Sequence, residues 1–418
     1  MCVMPADEGV LWGALGALSR VVWIFGICPV SRSPKVEVSK WKSFYGRYIL
    51  LTALMSVFLW ISYGYTKIPN LTILDVVGYL LELSQIVIVI FSIWKAPERI
   101  RKWVKCLENM DTIIERSESL MKNERKWSIS SIGYLLVILP LIAHVNFLYS
   151  CKAYGCSYLF FLKGWAPSFP SVITVNSMIF LIFLYVTRIK IALAAINHEL
   201  KHLLDYSEGE YKNDSRKVTL RNNYVNAQSA QTNEPRQLLL ISERIRNLAH
   251  SFSSVCEAIE SVNDTTGIIV LFVIASGVLC IMAGAMIFVT LFIKKESLGS
   301  IVIHFIWCLN IIFSKFIILS EPCHSVHKKM SLMRTHLIML QKKNIYNERI
   351  TNELKIFFLL TYLNKKKISP MKIGTIDRLL TLKILQCVTT YLVAVIGLKV
   401  STTHNKHFNY ESVDILSN

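Results

Sequence analysis

Charge is scarce in this chain. Asp, Glu, Lys and Arg make up 18% of its 418 residues against 53% hydrophobic residues, and the mean hydropathy is +0.44. So little charge over so much apolar surface excludes an ordinary soluble globule. Acidic residues are scarcer still, 28 against 46 Lys and Arg, for a formal charge of +18. That excess alone would suit nucleic acid, but the basic residues crowd between alternate pairs of apolar runs, which is an orientation signal and no nucleic-acid footprint. CxxC pairs are missing, and several of the ten Cys lie within apolar runs, which argues against a zinc site or a disulfide framework. No cofactor is expected. Also missing are the segments of alternating polarity of a membrane β-barrel and the internal repeat of an inverted-repeat transporter. Asp7 and Glu8 stand where a signal peptide would be basic, and Arg20 interrupts the stretch Gly9 to Val30, which reads as an interfacial or packed helix.

What the chain has in abundance is long apolar runs. A bilayer crossing takes about 20 apolar residues, and seven runs qualify: Tyr48 to Tyr65, Leu71 to Trp94, Ser128 to Tyr149, Phe169 to Thr187, Gly267 to Ile293, Ser300 to Leu319 and Ile376 to Leu398. The expected fold class is all-α, a polytopic membrane protein with seven transmembrane helices. Lys and Arg number six up to Arg47, nine from Lys95 to Lys126, ten from Arg188 to Arg246 and eleven from Lys328 to Lys372, while the alternate loops carry only one or two each. By the positive-inside rule the N-terminus is then cytoplasmic and the C-terminus extracellular. The expected organisation is a cytoplasmic segment over 1–47, a six-helix bundle over 48–319, a cytoplasmic anchor region over 320–375, the seventh helix over 376–398 and an extracellular tail over 399–418. Within the bundle, residues 206–237 are polar and without apolar period, so a flexible linker is expected there. Ile350, Leu354, Phe357, Phe358 and Tyr362 keep helical spacing and predict a helix over 347–363. Of the sequons, Asn70 falls in an outer loop and is the expected glycosylation site; Asn213 and Asn263 fall inside and should stay bare.

Three groups of residues could carry chemistry. The string His198-Glu199-Leu200-Lys201-His202 satisfies H-E-x-x-H, which on a helix puts two imidazoles on one face beside a carboxylate, as in zinc proteases. It sits where the fourth run leaves the membrane, Lys201 separates the ligands and no third ligand is evident, so a snorkelling interfacial cluster is the plainer reading. Polar groups inside apolar runs are costly and point to function. Tyr79, Glu82, His144, Asn146, Trp165, Asn176, His304 and Trp307, with Asp75, Trp60, Tyr63, Tyr149 and Asn310 nearby, fall toward the outer side of the first to sixth runs. They could line a small-molecule pocket, or serve only as interhelical hydrogen bonds and an aromatic belt. In the seventh run Cys387, Thr390, Ala394, Gly397 and Ser401 recur every three or four residues, a small and weakly polar face fit for close helix packing or for a water-accessible pathway.

The C-terminal residues Ile376-Asp377-Arg378, followed by Thr390-Tyr391 and the apolar stretch Leu392 to Ile396, resemble the signature of insect gustatory receptors. Gly397 and Leu398 stand where that family usually has Gln and Phe. Weaker likenesses are Arg20 with Phe25-Gly26-Ile27-Cys28-Pro29, and Arg188 followed by Asn197 and Leu200. The resemblance implies a ligand-gated cation channel subunit that assembles as a tetramer in the plasma membrane of a sensory neuron, gated by a small-molecule tastant. It further implies that Cys387, Thr390, Tyr391, Ala394, Gly397 and Leu398 face or brace the pore. Sugar-responsive members often carry Glu after Thr-Tyr; Leu392 here implies a bitter-type or other non-sugar receptor. A metabotropic seven-helix receptor, a membrane-embedded zinc protease and a transporter are the alternatives.

Overall fold

The computed structural model describes residues 15–30, 38–65, 73–114, 126–127, 129–154, 169–220, 234–293, 298–343, 348–364, 366–394 and 397. Ten helices of five residues or more run through these stretches, and β-structure among them is limited to a single bridge between Val30 and Val38. We number them α1 (Leu15–Val22), α2 (residues 40–65), α3 (Ile73–Trp94), α4 (Ala96–Ile114), α5 (residues 129–154), α6 (Phe169–Leu220), α7 (Glu234–Ile293), α8 (residues 298–343), α9 (Glu348–Leu363) and α10 (residues 378–394). Each of the seven apolar runs falls on its own helix: α2, α3, α5, α6, α7, α8 and α10. Four segments are long and apolar enough by themselves to cross a membrane, Val76–Trp94, Pro170–Tyr206, Leu239–Leu291 and Ile301–Lys343.

The long helices overshoot the bilayer. At about 1.5 Å per residue, the 52 residues of α6 extend about 78 Å and the 60 of α7 about 90 Å, against an apolar thickness of about 30 Å. The overshoot is amphipathic. On α6, Ile189, Leu193, Ile196, Leu200 and Leu203 are buried at helical spacing, and on α7 Ile245, Ala249, Phe252, Ile259 and Val262 are too. With α1, α4, the lower half of α8 and α9 they form one large core. Helix extends through Leu220 and resumes at Glu234, inside the stretch expected to be a linker; residues 221–233 lie outside the described ones. Glu208, Glu210, Lys212, Arg216 and Lys217 are good helix formers and continue the helix although no apolar stripe does. Leu18 and Val22 of α1 are fully buried, so the described part of this helix packs into the core.

Two details lock this core. Gly26 adopts φ +70°, and its Cα approaches the backbone of Gly46 on α2 so closely that a Cβ at Gly26 would stand 3.0 Å from Gly46 Cα. The chain turned there presents the Ile27 carbonyl to the fully buried Arg99, whose Nη2 donates to it at 2.9 Å and to the Ser92 carbonyl at 3.1 Å. Trp103, one turn further along α4, stacks on Tyr185 of α6 at 4.3 Å and donates its indole N–H to Thr265 Oγ1 of α7 at 3.1 Å.

Candidate functional site

The residues of the C-terminal signature form a bracket at the start of α10. Ile376 is buried, Asp377 accepts the Leu380 backbone N–H at 2.9 Å and so caps the start of α10, and Arg378 grips Glu321 of α8 through two hydrogen bonds of 2.8 and 2.6 Å. Arg378 holds the Glu321 carboxyl below its ordinary range. The segment before it is suspended between two helices. Asn263 of α7 donates to the Lys367 carbonyl at 2.8 Å and accepts from the Ser369 N–H at 2.9 Å, while His327 Nε2 of α8 accepts the Ile368 N–H at 3.2 Å. That bond needs a neutral imidazole, and burial, aided by Lys367, lowers the His327 pKa. Gly267 leaves room for the turn at Met371, whose N would lie 3.0 Å from a Cβ there. The Asn263 amide is thus committed to backbone partners.

Above this bracket α10 is held on one side only. Val388 and Ile384 pack with Ile281 of α7 and Ile311 and Phe316 of α8 in a small separate cluster, and the Tyr391 hydroxyl donates to Met286 Sδ of α7 at 3.7 Å. The opposite side is exposed, and it carries Gln386, Cys387, Thr389, Thr390, Ala394 and Gly397 beside Leu382 and Val393. The two threonine hydroxyls donate to the carbonyls one turn back, at 2.9 and 3.0 Å. A Cβ at Gly397 would meet nothing within 4 Å. On α5 the exposed residues Leu136, Val137, Ile138 and Leu141 form an aliphatic patch suited to lipid, with exposed His144 one turn beyond. Of the residues expected at a pore, Cys387, Thr390, Ala394 and Gly397 share the open side, Tyr391 braces α10 against α7, and Leu398 lies outside the described residues.

Beside α10 lies a polar layer with a buried cation. Three consecutive residues of α8, Ser314, Lys315 and Phe316, are all buried because the helix widens to π geometry over Phe313–Ile317. Lys315 Nζ reaches Ser276 Oγ at 3.0 Å and Cys280 Sγ at 3.5 Å, both on α7, and among the described residues no carboxylate pairs with it. Gly277 makes the approach possible; a Cβ there would meet the Phe316 ring at 2.6 Å. Higher on α8, Asn310 accepts the hydroxyl of Tyr134 at 2.5 Å, and Tyr134 in turn lies 5.3 Å from the Phe180 ring of α6. Lys315 interrupts the sixth apolar run, and Tyr134 was indistinguishable from a belt aromatic, so neither stood out by pattern. A lone charge within an otherwise uncharged run, Ser300 to Leu319, was the available signal for the first.

The polar groups expected to line an outer pocket scatter more widely. Asn176 and His304 are buried, Tyr79, Glu82 and Trp307 are half-buried, and His144 is exposed on α5. Asn176 donates to the Val172 carbonyl at 2.8 Å, Tyr79 lies 6.4 Å from Phe58, and Trp307 packs at the edge of the small α10 cluster. Asn70 and Trp165 lie outside the described residues, as does the side chain of Asn146. On α6, His198 and His202 are exposed and Glu199 half-buried, and among the described residues no three His, Cys, Asp or Glu side chains gather to hold a metal.

The profile of the 7tm chemosensory receptor family matches residues 15–396. Among solved structures the chain is similar to the insect olfactory receptor OR5 from Machilis hrabei, with TM-score 0.52 and 11% identity over 92% of this chain and 97% of that one. At that identity the likeness concerns the fold, that of a multi-pass, seven-helix membrane receptor. No curated protein matches the chain in sequence.

Proposed function

Because the chain belongs to the 7tm chemosensory receptor family, one of receptors and not of enzymes, we propose that it is a gustatory receptor: a ligand-gated, non-selective cation channel subunit for a small-molecule tastant of the non-sugar kind. One observation carries the channel reading. α10 is anchored along a single side and turns toward the outside a face that carries Gln, Cys, Thr, Ala and Gly, which lipid would not favour. Copies of α10 meeting around an axis, four in a tetramer, would give that face water. The N-terminus lies in the cytoplasm and the C-terminus outside, as the distribution of Lys and Arg requires. The tastant binds among α3, α5, α6 and α8, with Tyr79, Glu82, His144, Asn146, Trp165, Asn176, His304 and Trp307 as its contacts, at the plasma membrane of a sensory neuron. Gating needs the tastant to bind the open arrangement better than the closed one; four sites share that differential affinity, so each ligand can be weak. The bracket of Asp377, Arg378 and Glu321 is the point about which α10 tilts.

Current recordings from cells expressing the chain test this reading. A tastant panel should evoke cation currents, and Ala394→Phe should reduce or block them at unchanged surface expression. Silence across the panel with the chain at the surface, or currents indifferent to Ala394→Phe, would contradict it.

A further inference from the structure

We propose that the groove between α2 and α4 binds the phosphate headgroup of an anionic phospholipid. The groove encloses about 340 Å³, and Lys40, Ser43, Arg47, Tyr48, Glu98 and Arg101 line it. Its one carboxylate is already satisfied: Glu98 pairs with Lys95 and with Lys102, each at 3.1 Å. That leaves Lys40, Arg47 and Arg101 lining the same space with no acid of their own among the described residues. Arg47 is half committed, Nη2 donating to the Trp94 carbonyl at 3.0 Å with the guanidinium 5.3 Å above the Trp94 ring, while its buried Nε has no hydrogen-bond partner among the described residues. A donor held in place, shielded from water and unpaired is suited to a phosphate oxygen.

The surroundings favour a lipid over a free phosphate. Trp41, Phe44 and Tyr48 stack in an exposed ladder, with centroids 6.0 and 4.9 Å apart, that leads from the groove along α2 toward exposed Ile49. Exposed Trp94 marks the level at which α3 leaves the apolar layer. Aromatic rings at this height belong to the headgroup boundary, and acyl chains leaving the groove would lie along Tyr48 and Ile49. Basic groups clustered beside a span at that level draw anionic headgroups. The assignment to the cytoplasmic leaflet rests on the N-inside orientation; the binding itself does not, nor does it require channel activity.

The full-length chain in neutral detergent, titrated with a fluorescent short-chain phosphatidylinositol bisphosphate, provides the test. Saturable binding is expected, at least tenfold weaker in the double variant Lys40→Gln/Arg101→Gln, two exposed positions, and unchanged in Lys342→Gln/Lys343→Gln at the far end of α8. Phosphatidylcholine should not compete, and soluble inositol trisphosphate should compete only at tenfold or higher concentration. Equal affinity of the double variant and the wild type overturns the site, and equal competition by inositol trisphosphate overturns the lipid. Should the double variant not fold, a photoreactive lipid of the same headgroup on wild-type protein decides: crosslinks are expected on α2 and α4, and crosslinks only elsewhere refute the groove.

Discussion

The two hydrophobic clusters of this molecule are built to different standards. The large one ties α1, α4, α6, α7, α8 and α9 together around fully buried Arg99, Trp103, Tyr185, Phe252 and Phe357. The small one, Ile281, Ile311, Phe316 and Val388, is nearly all that fastens α10 to the rest above the bracket at Arg378. A dense core resists deformation because each residue is over-determined by its neighbours. A helix on a four-residue patch has few contacts to lose when it tilts. The rigid part is thus the inner scaffold, and the part with freedom to move is the helix with the polar outward face.

Substitutions should separate the two regions. Trp103→Ala removes a stacked, hydrogen-bonded ring from the large core and is expected to cost about 3–5 kcal/mol, read as loss of monodisperse protein or a large fall in thermal midpoint. Gly277→Ala drives a methyl into the Phe316 ring beneath α10; the expected cost is about 1–3 kcal/mol, softened by the better helix propensity of Ala, with a left-shifted or right-shifted agonist response that Trp103→Ala would not give without unfolding. Arg378→Ala frees half-exposed Glu321 and should change the melting midpoint little, yet alter the open fraction of the channel. Acid should act at the same bracket. His327 has a pKa below the ordinary value, so the stability from its bond to the Ile368 N–H is present in full above the ordinary histidine range and is lost as pH falls through the lowered value; His327→Gln should flatten that pH dependence of the melting midpoint. Gly397→Gln should leave stability unchanged, since its side chain enters open space, and show itself only in single-channel conductance.

How much of this was legible in the chain varies by region. The seven apolar runs map onto seven helices because continuous Leu, Ile, Val and Phe leave few other options. The inner scaffold was harder to see: past Thr187 and ahead of Gly267 the apolar residues thin to a stripe, and polar neighbours such as Asn197 hide it, although the Asn197 amide donates to the Lys329 carbonyl at 3.0 Å and ties α6 to α8. The four-residue spacing on α10 revealed its small polar face, but not which side of Tyr391 would pack. That depended on Met286, 105 residues away. Lys315 shows the remaining limit: its burial follows from a π widening and a glycine on another helix, neither of which has a signature in local sequence.

The most direct test of the account uses a cysteine the protein already has. Cys387 sits midway along the open face of α10, whereas Cys28, Cys106, Cys256 and Cys323 are buried. With the assembled protein in lipid nanodiscs, a charged, membrane-impermeant thiol reagent should label Cys387, read by mass spectrometry of the peptide that carries it, and that labelled peptide should be missing from Cys387→Ser. A Cys387 that reacts only with apolar, lipid-soluble reagents would place that face in the bilayer and contradict the pathway.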